Sequence, residues 1–184
     1  MLQVLTGKAK GRRLKVPKGR TIRPTTSRVK KAIFDTLGDI SGFKVLDVFA
    51  GSGGLGIEAL SRGAVHVTFI EKNPIVYKVL RENINLCGFL DRTNLICAHY
   101  EGALKKLKKN DKKFDLIFID PPYILYRRKE VDDFISQLSE LLEENGTVVI
   151  EHNYRIEEGS LEGFKRTTKP FGGTQLSLFK RGDQ

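Results

Sequence analysis

Val45-Leu46-Asp47-Val48-Phe49-Ala50-Gly51-Ser52-Gly53-Gly54-Leu55-Gly56 runs from a short apolar segment into a Gly-x-Gly-x-x-Gly turn at the mouth of a helical pattern. Strand, glycine turn, helix is the opening phrase of a parallel α/β sheet. Outward from it, strand-like and helix-like segments alternate: Val45 to Phe49, Leu55 to Arg62, Val67 to Ile70, Ile75 to Cys87, Asn94 to Ala98, Ala103 to Leu107, Phe114 to Ile119, Glu130 to Glu144 and Thr147 to Glu151. That alternation predicts helices on both faces of one sheet. The helix over 130 to 144 rests on a single stripe, Val131, Phe134, Ile135, Leu138, Leu141 and Leu142, with Gly146 after its end. Phe164 to Thr168 and Gln175 to Phe179, joined through Pro170-Phe171-Gly172-Gly173, read as antiparallel neighbours, so the sheet is mixed.

Toward the amino terminus, Leu2 to Leu5 and Leu14 to Val16 read as two strands of a β-hairpin about Thr6 to Gly11, and Pro17 to Pro24 as an extended linker. Thr25 or Thr26 then caps a helix whose stripe is Val29, Ala32, Ile33 and Leu37, closed by Gly38. This divides the chain into a basic extension, 1–24, and a main domain, 25–184. Charge follows the same division. The net charge is +10, yet residues 1 to 31 hold eleven Lys or Arg and no acid, while the other 153 residues carry 21 basic and 22 acidic side chains. Lys8, Lys10, Arg12, Arg13, Lys15 and Arg23 are therefore candidate contacts to a polyanion, with a solvated basic arm as the alternative.

At 184 residues and 40% hydrophobic content, the chain suffices for one packed domain. Cys87 and Cys97 have no Cys-x-x-Cys spacing and read as reduced core residues of a cytoplasmic protein. His66, His99 and His152 are scattered without metal-ligand spacing, so no metal is implied. No run of about 18 apolar residues occurs, which argues against secretion and membrane spanning.

The candidate chemistry gathers at strand ends. Glycines at 51, 53 and 56 let backbone approach a ligand, with Phe49, Ala50 and Ser52 beside them. Glu71 follows Gly51 by 20 residues, where a carboxylate accepts hydrogen bonds from the ribose hydroxyls of an adenosine. Both features suit NAD or FAD as well as S-adenosylmethionine. Asp47, inside the first strand, needs a cation; a methionine ammonium would serve, or Lys72, itself a candidate cofactor contact. The run Leu116-Ile117-Phe118-Ile119 ends on Asp120-Pro121-Pro122-Tyr123. An acid, two prolines with fixed φ and no N–H, and an aromatic ring make a rigid carbonyl-lined notch beside a stacking surface. Such a notch fits a planar exocyclic amine, with Asp120 and the Pro121 carbonyl accepting its two N–H bonds and Tyr123 stacking on the base.

These motifs, with Gly7-Lys8, Lys10-Gly11-Arg12-Arg13-Leu14, Arg23-Pro24-Thr25-Thr26-Ser27-Arg28-Val29-Lys30, Leu55-Gly56-Ile57-Glu58-Ala59 and Lys169-Pro170-Phe171-Gly172-Gly173-Thr174, run the length of the chain. Together they resemble the bacterial 16S ribosomal RNA guanine-N2 methyltransferases of the RsmD family. The resemblance implies an S-adenosylmethionine-dependent methyltransferase of Rossmann-like α/β fold. Its seven-stranded sheet would be mostly parallel with an antiparallel last strand, and an N-terminal β-hairpin would precede it. It further implies a guanine of 16S rRNA, within an assembling small ribosomal subunit, as acceptor, and it sets Thr25, Thr26 and Arg28 near the methionyl end of the cofactor and the base entrance. His99 and Tyr100, where the family often has a small or acidic residue, are candidate cofactor contacts, and Phe171 stands where tyrosine is usual. A monomer is expected. The rival readings are a DNA adenine-N6 or other amino methyltransferase, a non-catalytic RNA-binding protein, and an NAD-dependent oxidoreductase. Chain length disfavours the DNA enzyme, and the Asp-Pro-Pro-Tyr notch disfavours the oxidoreductase.

Overall fold

In the structure, a computed structural model, residues 2–17, 26–120, 128–152, 163–171 and 174–182 are described. Helix α1 (Ser27–Leu37) starts on Thr26, whose hydroxyl accepts from the Val29 N–H, and stops at Gly38, whose N–H returns to the Phe34 carbonyl. There follow β1 (Lys44–Asp47), α2 (Gly54–Ser61), β2 (His66–Ile70), α3 (Pro74–Leu86), β3 (Thr93–Ile96), α4 (Tyr100–Lys109), β4 (Phe114–Ile119), α5 (Arg128–Ser139), β5 (Leu142–His152), β6 (Phe164–Phe171) and β7 (Thr174–Arg181). The seven strands form one sheet in the order β3-β2-β1-β4-β5-β7-β6. The first five are parallel, and β7 runs antiparallel to both of its neighbours. The sheet is thus the mixed α/β sheet expected, and its order reverses between β1 and β4.

Alternating strand residues feed two apolar layers. On one face Val45, Val67, Phe69, Leu116 and Phe118 meet α1, α2 and α3; on the other Leu46, Ile70, Ile117 and Ile119 meet α4 and α5. Leu2, Val4, Ala9 and Leu14 are buried in the first layer, so the amino-terminal segment shares the core of the sheet.

Three expectations need correction. The helix projected over 130 to 144 ends at Ser139, and Leu142 already lies in β5. The Phe114 N–H donates to the Leu141 carbonyl at 2.8 Å, and Phe114 pairs with Leu142 before a register shift in the β4–β5 ladder. Leu141 and Leu142 are buried beside Ile135 and Leu138 in either conformation, which is why the stripe ran on past the helix. The hairpin strands reduce to one antiparallel bridge, Gln3 to Arg13. The Val4, Gly11 and Leu14 N–H groups donate across the hairpin to the Arg12, Val4 and Leu2 carbonyls, while those of Leu5, Thr6, Lys8, Ala9 and Lys15 donate outward to Glu58, Ser61 and Asn83 on α2 and α3. Cys97 is exposed rather than part of the core, because it follows the edge strand β3, whose residues are only half covered; Cys87 is half-buried and both thiols are free. Residues 18 to 24 of the projected linker and the Gly172-Gly173 turn lie outside the described residues.

Candidate active site

The carboxyl ends of β1, β2 and β4 meet where the strand order reverses, the crevice in which open α/β sheets bind ligands. Asp47 stands level with Phe69 on one side and Phe118 on the other, so Glu71 and Asp120 emerge two residues further along the neighbouring strands. Asp47 is buried, and its Oδ2 accepts from the Gly56 N–H at 3.1 Å. Burial above all pushes its carboxyl up to about 7; the Gly56 N–H pulls it down, while the Asp120 and Glu71 carboxylates push it further up. Among the described residues no ion pair reaches Asp47, and Lys72, its alternative partner, is exposed. Glu71 accepts from the Gly51 N–H at 3.1 Å and from the Asn73 N–H at 2.7 Å, which fixes the carboxylate beside the glycine turn.

The turn itself is built from tight packing. Gly53 is left-handed, at φ +88°, and a Cβ there would lie 2.6 Å from Leu80 Cδ1; one on Gly56 would lie 2.2 Å from Phe69 Cε1. Gly53 and Gly56 thereby press α2 onto the sheet, and Gly51 is left to face the crevice. Ala50 is buried, its N–H held by the Ile70 carbonyl, and Ser52 Oγ is buried without a hydrogen-bond partner.

Beyond β1 and β3 an aromatic group closes one flank. Phe49 and Tyr100 lie 5.2 Å apart by ring centroids, Tyr100 meets Phe134 edge-on at 5.3 Å, and His99 lies 4.7 Å from Tyr100. His99 Nδ1 is also 3.6 Å from Glu101 Oε2, both side chains exposed. Phe134 escaped sequence reasoning because its place in a helical apolar stripe already accounted for it. Thr26 spends its hydroxyl on capping α1, and Arg28 is exposed on the first turn of that helix. Thr25, Arg23, Pro121, Pro122 and Tyr123 lie outside the described residues.

The basic segment is docked, not loose. Lys8, Lys10, Arg12 and Arg13 are exposed, whereas Lys15 pairs with Glu82 at 2.7 Å. Beneath them Glu58, fully buried on α2, accepts from the Leu5 and Thr6 N–H groups at 2.7 and 3.0 Å, from Lys30 Nζ at 3.2 Å and from Arg62 Nε at 3.0 Å. Lys30, also fully buried, donates to the Gln3 carbonyl at 2.6 Å. Burial draws the Lys30 ammonium below its ordinary range against the opposing pull of Glu58. A Cβ on Gly7 would lie 1.8 Å from the Ser61 carbonyl oxygen, so the hairpin turn meets α2 backbone to backbone. Neither Glu58 nor Lys30 was singled out as a buried ion pair from sequence.

A cation with an adenosine attached suits these residues: a buried acid short of positive charge, a second acid hydrogen-bonded to the glycine turn, and an unsatisfied Ser52 hydroxyl. The fold is that of a Rossmann-like S-adenosylmethionine-dependent methyltransferase. The family profile described as "Conserved hypothetical protein 95" matches residues 2–180, and the chain belongs to that family. It is 35% identical over 183 residues to "Putative rRNA methyltransferase YlbH" of Bacillus subtilis, covering 98% of this chain and 99% of that one. With "Ribosomal RNA small subunit methyltransferase D" of Escherichia coli K12 it shares 36% identity over 146 residues, 79% of this chain and 68% of the other. The solved structure "Putative methyltransferase yhhF from Escherichia coli" superposes with a TM-score of 0.83 at 29% identity, covering 99% and 98% of the two chains. No helix among the described residues is long and apolar enough to cross a membrane.

Proposed function

We propose that this protein methylates the exocyclic N2 of a guanine in 16S ribosomal RNA, acting as a cytoplasmic monomer on an assembling small ribosomal subunit. The observation that carries the reading is the under-compensated acid Asp47, flanked at the switch point by Glu71 and by Asp120, which opens the Asp-Pro-Pro-Tyr sequence. Support for the acceptor comes from the relatives named as small-subunit rRNA methyltransferases and from the exposed cations of the docked hairpin.

S-adenosylmethionine supplies, when bound, a methyl group on a positively charged sulfur. Asp47 and Glu71, with the 51–53 backbone and Ser52 Oγ, would hold it, flanked by Phe49, His99 and Tyr100. Asp120 accepts one N–H of the guanine amine and the Pro121 carbonyl the other. That draws the nitrogen away from planarity and frees its lone pair for in-line attack, and Asp120 or solvent takes the proton that the nitrogen sheds as it gains the methyl group. Pro122 keeps the notch rigid and Tyr123 stacks on the base; the parts given to Pro121, Pro122 and Tyr123 rest on sequence. Lys8, Lys10, Arg12, Arg13, Lys15, Arg23 and Arg28 take the phosphates, which position without reading sequence. Labelled S-adenosylmethionine offered with unmodified small-subunit particles, with free 16S rRNA and with duplex DNA tests this directly. N2-methylguanosine from the particles is expected by mass spectrometry of the nucleosides. Label in N6-methyladenosine of DNA, or in no nucleic acid, refutes the reading.

A further inference from the structure

Asn83 on α3 lies between the two halves of the proposed site and is fully buried. Its Oδ1 accepts from the Lys15 N–H at 2.8 Å, and its Nδ2 donates to the Lys15 carbonyl at 2.9 Å and to the Ser52 carbonyl at 2.9 Å. Both amide protons and one oxygen lone pair are thus committed, one side to the hairpin backbone and the other to the glycine turn. A buried amide with all its bonds made does not give them up singly, because each orphaned partner costs the full desolvation of a polar group. Seating of the hairpin at residue 15 and the set of the Ser52 peptide are therefore one event. We propose that Asn83 is a positioning residue that couples RNA contact on the hairpin to cofactor affinity in the turn. The inference rests on the functional reading above, with the hairpin taking RNA and the turn taking S-adenosylmethionine. Ordering one end spares the other end that part of its ordering cost, and the coupling is reciprocal.

Amide hydrogen exchange on the intact protein, with and without S-adenosylhomocysteine as probe, reads the tie. In the wild type the probe should slow exchange at 51–53 and also at Lys15, on the far side of the amide. Asn83→Asp keeps the size and the Oδ1 acceptor but loses both donated bonds. It should weaken probe binding about 5-fold or more and erase the Lys15 response. The Leu5 and Thr6 amides, held by Glu58, should stay protected, which separates a local break from unfolding. Glu82→Gln, which removes only the side-chain pair with Lys15, should keep both responses. Unmodified 16S rRNA should tighten probe binding by a similar factor in the wild type and not in Asn83→Asp. A wild-type probe response confined to 51–53 overturns the proposal, even if the variant does not fold. So does bound rRNA that leaves probe affinity unchanged. A wild type that binds no probe at all removes the cofactor reading itself, and this inference with it.

Discussion

Asp47 and Glu58 are both buried carboxylates, one nine positions before Gly56 and the other two after it, yet the protein treats them oppositely. Glu58 gathers two backbone N–H groups, the Lys30 ammonium and the Arg62 guanidinium. Asp47 gathers one N–H and two neighbouring carboxylates. A buried charge persists only when paired and hydrogen-bonded, so the first site is complete within the chain and the second is complete only with a cation. The satisfied acid holds the hairpin to α2; on the proposed function, the crevice would take its cation through the unsatisfied one.

The comparison predicts opposite signs for neutral replacements. Glu58→Ala leaves Lys30 buried without its counter-charge and strips two hairpin N–H groups, and should cost roughly 3–5 kcal/mol in urea unfolding. A loss under about 1 kcal/mol would mean that the two acids do not differ in kind. Asp120→Ala removes the acceptor proposed for the reacting amine, and should lower kcat by about 10²- to 10³-fold with cofactor affinity retained. Methylation at the wild-type rate would end the assignment of Asp120.

Asp47→Asn should act on stability in the other direction. The folded carboxyl holds its proton up to about 7, and the unfolded one releases it near 3.8. Its contribution to stability is then full below the unfolded value and is lost as pH rises to the folded one. Unliganded protein should weaken from pH 4 to 7 through this group, while cofactor affinity climbs over the approach to pH 7 as the carboxylate ionises. Asparagine keeps an acceptor for the Gly56 N–H and has no proton to lose. The variant should be more stable than wild type at pH 8 without cofactor, on the order of 1–2 kcal/mol, and should bind cofactor more weakly with a flat pH profile. Urea unfolding at pH 8 reads the first and calorimetric titration with cofactor at pH 6 and pH 8 the second; a profile as steep in the variant as in the wild type would assign the titration to another group.

Asp47 was legible from sequence because a charged residue inside an apolar strand violates the local pattern, and Glu71 and Asp120 because they end such strands. The strands and the glycine turn declared themselves by period and residue type. Glu58, Lys30 and Asn83 gave no such sign, since polar residues on helices ordinarily face water and, Arg62 apart, their partners lie 27 to 68 residues away along the chain. The end of α5 was hidden for the converse reason: Leu141 and Leu142 are buried in strand as they would be in helix, and hydrophobicity cannot report where the backbone turns.

The smallest effect belongs to the exposed cations that the Glu58 cluster supports. Arg12 and Arg13 stand at the surface, Arg13 at the single hairpin bridge, and neither makes an ion pair among the described residues. Replacing both by alanine leaves the backbone bonds to Glu58 and Asn83 in place, so stability and cofactor affinity should hold within about 0.5 kcal/mol. What should change is the salt dependence of RNA binding. Each phosphate contact contributes close to one unit to the slope of log affinity against log salt, so the double variant should lose about one to two units and bind RNA about tenfold more weakly at moderate salt. Equal losses of RNA and cofactor affinity would mean that these arginines hold the hairpin rather than the nucleic acid. The division between a satisfied scaffold and an exposed contact surface would then have to be redrawn inside the hairpin itself.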